Sequence, residues 1–170
     1  KDKLTALAAE LGVERQVCFA GWISGGMDRF YSALDINALT SLSETFPYAL
    51  TEGARFHLAT VSTAVGGIPY LIDQDVNGYL FQPGDWQALG NDLAALGNDD
   101  ELRRRLGEKL YEKASTQFSI QKTVSTQLQI YASILRRHRR RSSARDGVVI
   151  CGAYGRGNAG DDAILEAILQ

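Results

Sequence analysis

The sequence predicts an α/β fold, a parallel sheet covered by helices. Two observations carry this. Short apolar or β-branched runs at residues 17–20, 35–39, 60–62 and 79–81 alternate with stretches of helical spacing, the pattern of strands joined by helical crossovers. The composition, 45% hydrophobic and 22% charged, is close to that of an average soluble domain, which sets aside fibrous and disordered classes.

The elements follow in order. Leu4, Leu7, Ala8 and Leu11 recur at helical spacing with Gly12 as a stop, so an amphipathic helix comes first. The runs at 17–20, 35–39, 60–62 and 79–81 are the strands. Asp85 reads as the N-cap of a helix that places Trp86, Leu89, Leu93 and Leu96 close to one face. A second helix starts near Asp99 or Asp100 and buries Leu102, Leu106, Leu110 and Ala114, with Lys113 in its last turn. A third runs from about Ser119 with the stripe Ile120, Val124, Leu128, Tyr131, Ile134 and Leu135, and the basic run after it ends the helix.

Arg136, Arg137, Arg139, Arg140 and Arg141 open a stretch, 136–146, that is almost free of apolar residues. Its composition is that of an exposed linker. The domain boundary is therefore placed there, with one domain over 1–135 and a second opening over 147–170. The alternative for the arginines is a peripheral membrane contact with anionic lipid. After the linker, 147–151 forms a new strand, a glycine-rich turn follows, and Ala163, Ile164, Ala167 and Ile168 give helical spacing. The chain opens and closes inside helical patterns, which reads as a fragment.

With 18 basic and 20 acidic side chains the net charge is −2, which argues against general attraction to nucleic acid. No secretory signal is read at the start, and no apolar run approaches the roughly 18 residues of a membrane span. Cys18 and Cys151 lie in separate apolar runs and read as buried thiols in a reducing compartment. The cytoplasm is expected, with the inner face of the cell membrane as the place where a lipid contact would hold the protein. No carboxylate or histidine cluster has ligand spacing, so neither a metal nor another cofactor is predicted.

The segment Ser41-Leu42-Ser43-Glu44-Thr45-Phe46-Pro47-Tyr48-Ala49-Leu50-Thr51-Glu52 lies between a strand and a helix. In open α/β sheets, ligands bind at such carboxyl ends of strands. Thr45 can cap the helix, and Pro47 suits its first turn. Unpaired N–H groups at that end favour a phosphate. Glu52, about two turns in, can accept from a pair of sugar hydroxyls. By spacing alone, two such glutamates also fit ordinary surface charge.

The surrounding blocks extend the pattern. Phe19-Ala20-Gly21-Trp22, Tyr31-Ser32-Ala33-Leu34-Asp35, Ser62-Thr63-Ala64-Val65-Gly66-Gly67-Ile68-Pro69, Val76-Asn77-Gly78-Tyr79-Leu80-Phe81 and Pro83-Gly84-Asp85 come in one order with the two glutamates. Together they resemble the donor-binding C-terminal domain of the GT-B retaining glycosyltransferases of family 4, group 1, whose signature is two glutamates separated by seven residues. The resemblance covers about 1–135 and implies an incomplete Rossmann-like sheet that binds a nucleoside-diphosphate sugar, for transfer to a saccharide or lipid-linked acceptor in cell-surface polysaccharide synthesis.

Carried over by position, the resemblance implies that Glu44 touches the donor sugar as the catalytic glutamate and Glu52 holds the ribose. It also implies that the backbone from Thr45 and Phe46 to Tyr48 faces the phosphates, while Gly21, Gly66 and Gly67 allow close approach. Each glycine also fits an ordinary turn. His57 stands where the family usually has glycine, Ala59 where it has proline, Tyr70 where many members are acidic, and Gly53 where alanine is usual. Gly53 should cost the helix roughly 1 kcal/mol relative to alanine. His57 has no triad or metal-ligand partner by spacing and reads as structural or exposed. The family's diphosphate-neutralising basic residues and its acceptor domain are not read here, so this chain alone is expected not to turn over.

The last block, Gly155-Arg156-Gly157-Asn158-Ala159-Gly160-Asp161-Asp162, lacks the Lys and Ser or Thr of a Walker loop. It resembles the start of polysaccharide pyruvyl transferases, which move pyruvate from phosphoenolpyruvate onto sugar hydroxyls. That implies roles for Gly155, Gly157, Asn158, Gly160 and Asp161, although Asp161 and Asp162 also fit a helix cap. Two alternatives to a working glycosyltransferase stay open. One is a pyruvyl transferase carrying a degenerate glycosyltransferase remnant, and the other is a non-catalytic interaction module.

Overall fold

The computed structural model describes residues 1–139. The linker beyond Arg139, Cys151 and the glycine-rich loop from Gly155 to Asp161 lie outside the described residues. The chain divides into two compact units, Lys1–Leu34 and Asp35–Gln170.

The first unit holds α1 (Asp2–Glu10) and α2 (Met27–Ser32). Gly12 follows α1 with φ of 67°, a left-handed position that ends the helix without strain only for glycine. Residues 17–20 form no strand. The apolar run has β propensity, but a strand exists only where a neighbour completes its hydrogen-bond ladder, and no ladder forms on it among the described residues. Cys18 is correspondingly exposed rather than buried.

The second unit is built on three parallel strands in the order β1 (Ile36–Leu39), β2 (Ala59–Thr63) and β3 (Tyr79–Phe81). Ile36 pairs with Ala59 and Leu39 with Ser62, while Val61 pairs with Tyr79. All five residues of the central strand β2 are buried, as expected for a parallel strand covered on both faces. Its hydroxyls are satisfied: Thr60 Oγ1 donates to the Leu58 carbonyl at 3.2 Å and Ser62 Oγ to the Thr63 carbonyl at 3.4 Å.

Around this sheet run α3 (Tyr48–Arg55), α4 (Ile68–Leu71), α5 (Trp86–Asn98), α6 (Asp100–Gln117) and α7 (Ile120–Arg139). One core cluster joins Leu50 and Ala54 of α3, Ile68 and Leu71 of α4, Ile72, and Leu110 and Ala114 of α6. The other joins Ala59 and Val61 of β2, Phe81 of β3, Leu96 of α5 and Leu106 of α6. Each fully buried leucine or isoleucine contributes about 1.5–3 kcal/mol by leaving water.

The cap of α5 is as read from sequence, and α6 starts where expected, with Asp99 as its cap. Asp85 accepts from the Ala88 N–H at 2.9 Å and Asp99 from the Leu102 N–H at 2.8 Å. Other expectations shift. Trp86, at the start of α5, is 76% exposed rather than on the buried face, while Ala88, Leu89, Leu93 and Leu96 carry the contact with the second cluster. Leu102 is partly buried at the rim of that cluster. Lys113 is not in the last turn of α6, which runs on to Gln117; it pairs instead with Asp73 at 2.7 Å.

α7 does not stop before the basic run but includes Arg136, Arg137 and Arg139, since arginine is a good helix former. Its stripe lies mostly in solvent: Ile120, Leu128, Ile134 and Leu135 are exposed. No helix among the described residues is long and apolar enough to cross a membrane.

Candidate functional site

Because β1 and β2 are parallel, the loops that follow them leave the same end of the sheet. The loop after β1 carries Ser41, Glu44, Thr45, Phe46 and Pro47, and the loop after β2 carries Gly66 and Gly67. The two interlock. The Gly67 N–H donates to the Thr45 carbonyl at 2.7 Å. A Cβ on Gly66 would lie 1.7 Å from the Glu44 carbonyl oxygen, and one on Gly67 2.4 Å from that of Thr45. Gly66 also has φ of 56°, so both space and backbone conformation demand glycine.

Glu44 is half-buried, and its Oε1 accepts from Ser41 Oγ at 2.7 Å. Ser41 is tied in turn, its carbonyl accepting from Thr63 Oγ1 at 2.7 Å. Thr63, 1% exposed, ends β2, so the chain of bonds runs from the sheet to the carboxylate. Spacing alone did not point to Ser41 or Thr63. A hydroxyl three residues before the glutamate was a visible signal for the first, but nothing local marked the second.

The helix begins later than expected. Pro47 is the N-cap residue, with φ −76° and ψ 124°, and no side chain caps α3. Thr45 is not a cap, because its carbonyl is engaged by Gly67 and the chain from Thr45 to Pro47 stays outside the helix. The N–H groups of Tyr48 and Ala49 open the helix where no preceding turn supplies acceptors. Glu52 is the fifth residue of α3, about one turn in rather than two, and is exposed. The Phe46 ring stacks on Phe118, with centroids 5.2 Å apart, and packs on the core. What Phe46 offers a ligand is therefore its backbone, while Tyr48 is 70% exposed.

A second polar anchor positions α3. Asn37, on β1 and 9% exposed, donates from Nδ2 to the Ala49 carbonyl at 3.0 Å. Gly53 leaves room for that side chain, since a Cβ there would come within 2.4 Å of Asn37 Nδ2.

Gly21, in the first unit, has φ of 71°, and a Cβ added there would meet nothing within 4 Å. Its left-handed backbone is what demands glycine there. His57 is placed away from the loops, with φ of 57°, and a left-handed backbone at this position accounts for the glycine usual in the resembling family. Its Nδ1 meets Glu108 Oε2 at 2.7 Å and its ring lies on Tyr111, so it is a partly exposed structural residue. A groove of about 380 Å³ lined by Asp73, Asn77, Lys109 and Lys113 lies on α6. Its charges neutralise one another as Lys113–Asp73 and Lys109–Glu112 pairs. Among the described residues no group of three or more His, Cys, Asp or Glu side chains converges on a metal-sized site.

Residues 1–113 match the family model described as glycosyl transferases group 1. The chain is 32% identical over 130 residues to the N-acetyl-alpha-D-glucosaminyl L-malate synthase of Bacillus anthracis, covering 76% of this chain and 34% of that protein. It is 30% identical over 133 residues to the lipopolysaccharide core biosynthesis glycosyltransferase LpsE of Rhizobium meliloti, covering 78% and 39%. The chain thus spans well under half the length of these relatives. Among solved structures it is similar to the C-terminal domain of a group 1 family glycosyl transferase, LpcC, from Francisella tularensis, with TM-score 0.65, 29% identity, and 70% and 62% of the two chains covered. It is also similar to Anabaena HepE in complex with UDP-glucose, with TM-score 0.69, 26% identity, and 79% and 36% covered.

Proposed function

The chain belongs to the group 1 glycosyl transferases, and on that premise we propose that it is the donor-binding half of a GT-B enzyme that takes a nucleoside-diphosphate sugar. The observation that carries this is the interlock of the Glu44–Thr45 backbone with Gly66 and Gly67 at the carboxyl end of a parallel sheet. It builds a rigid rim beside the start of α3, where N–H groups and the positive helix end favour a diphosphate. Glu44 faces the sugar and Glu52 the ribose. A carboxylate has two acceptor oxygens and so suits a pair of adjacent hydroxyls. HepE, a relative in structure, is described in complex with UDP-glucose, which supports a nucleotide sugar as substrate in place of a bound cofactor.

The reaction we assign is transfer of the sugar with its anomeric configuration retained, to a saccharide or lipid-linked acceptor. Stabilising the departing diphosphate is its main electrostatic task. Two measurements test this in the intact protein. Glu52→Ala should weaken UDP binding by roughly 10- to 100-fold, the loss of a charged hydrogen-bond acceptor, while Glu44→Gln should retain UDP and lose transfer. The anomeric signal of freshly made product should match that of the donor by NMR; an inverted product rejects the retaining reading, and unchanged UDP affinity in Glu52→Ala rejects the ribose contact.

A second reading concerns the segment beyond the described residues. The order of Gly155, Gly157, Asn158, Gly160 and Asp161 supports the start of a pyruvyl-transferring domain, making the protein bifunctional. Pyruvate transfer from phosphoenolpyruvate that survives Glu44→Gln together with Glu52→Gln would assign that activity to the second domain, and its absence from the wild-type protein would dismiss it.

A further inference from the structure

We propose that Ser41, itself anchored by Thr63, is the positioning residue that aims Glu44 at the donor sugar. The inference rests on the donor-site reading above and names how one of its two glutamates is held.

The backbone of Glu44 has little freedom. Its carbonyl oxygen faces Gly66 at a distance that leaves no room for a Cβ, and the next carbonyl, of Thr45, is bonded to the Gly67 N–H. What remains mobile is the side chain, with several rotatable bonds whose freezing on binding would cost affinity. Ser41 removes that freedom beforehand by donating to Oε1 at 2.7 Å, which leaves Oε2 as an acceptor for a sugar hydroxyl. Ser41 is itself fixed: it follows β1, and Thr63 Oγ1, from the buried end of β2, donates to its carbonyl at 2.7 Å. A carboxylate held by a charge-assisted bond from a residue tied to the sheet is oriented before the ligand arrives.

A serine bonded to a glutamate three residues later could instead merely shape the loop. The two roles differ in what they do to the sugar and to the nucleotide. Calorimetric titration of the intact protein with UDP-glucose and GDP-mannose, against UDP and GDP, separates them. In Ser41→Ala, affinity for the accepted sugar nucleotide should fall about tenfold, one neutral-to-charged hydrogen bond, while affinity for the corresponding sugar-free nucleotide stays within about twofold. Ser41→Thr, which keeps a hydroxyl, should recover most of the loss. Ser41→Cys keeps the volume with a weaker donor and should fall between; it serves if alanine disturbs folding. In a Glu44→Ala background, Ser41→Ala should add less than about twofold, because the group it orients is gone.

Equal losses for sugar nucleotide and free nucleotide, no loss at all, or an undiminished loss in the Glu44→Ala background would each overturn the positioning role. Wild-type protein that binds none of the four compounds would instead remove the donor reading, and the positioning role with it.

Discussion

Asp92 of α5 carries a cost that a single substitution can expose. Partial burial, and then the negative fields of Asp75 and Asp85, raise its carboxyl above the ordinary Asp range. Burial also raises the Tyr79 hydroxyl, with Asp75 and Asp92 adding to the effect, so both groups report one acidic neighbourhood. A raised carboxyl binds its proton more tightly in the folded state than in the unfolded one. The penalty is therefore absent below the unfolded value, grows between the two, and is complete above the folded value. Asp92→Asn should raise Tm by about 1–3 °C at pH 7, a small gain because solvent screens a half-exposed group. The gain should vanish in acid, once the unfolded Asp is protonated as well. Thermal melts at both pH values check this, and an equal gain in acid would assign the effect to packing.

Among the elements, α3 shows how a local rule yields to a contact. Glycine inside a helix is unfavourable by about 1 kcal/mol relative to alanine, yet Gly53 faces Asn37, whose Nδ2 is held by the Ala49 carbonyl. Gly53→Ala alone should destabilise the protein, since the methyl displaces that amide. In an Asn37→Ala background the same change should stabilise by about 1 kcal/mol. A denaturation cycle over the four proteins reads the reversal, and the same sign in both backgrounds would refute the wedge.

This pair also marks where sequence reading stops. β1, β2 and β3 were legible to within a residue or so because strand runs are local, and the Asp85 cap and the start of α6 because capping spans one turn. The fit of Gly53 to Asn37, of Gly66 to Glu44, and of Gly107 to the His57 carbonyl, 1.9 Å from where its Cβ would stand, joins residues far apart in the chain. No periodicity encodes such contacts. Residues 17–20, the α7 stripe and Trp86 show the converse limit. An apolar pattern says which side chains could be covered, and only a partner decides whether they are. For the candidate site, the sequence singled out the two glutamates and the paired glycines, and the interlock of Gly66 and Gly67 with the Glu44–Thr45 backbone is what the fold adds, while the hydroxyls that hold Glu44 depend on the turn after β1 and on the end of β2.

Over the whole second unit, α6 is the element that couples the two cores. Leu106 belongs to the cluster with Val61, Phe81 and Leu96, whereas Leu110 and Ala114 belong to the cluster with Leu50, Ile68 and Leu71. Strand alternation separates these clusters: Tyr79 lies against one and Leu80 against the other. The same helix presses Gly107 against the turn at His57, so it cannot loosen from one cluster without disturbing the other. Leu106→Ala and Leu110→Ala should therefore each cost about 2–5 kcal/mol, a large share of the roughly 5–15 kcal/mol that holds a domain folded. Both variants should shift one transition, seen at the same midpoint by far-UV and near-UV circular dichroism. If Leu106→Ala instead splits the melt into two steps, with the Leu110 cluster unfolding at its original midpoint, α6 does not couple the cores and the rim that carries Glu44 and Gly66 draws its rigidity from the Leu50 cluster alone.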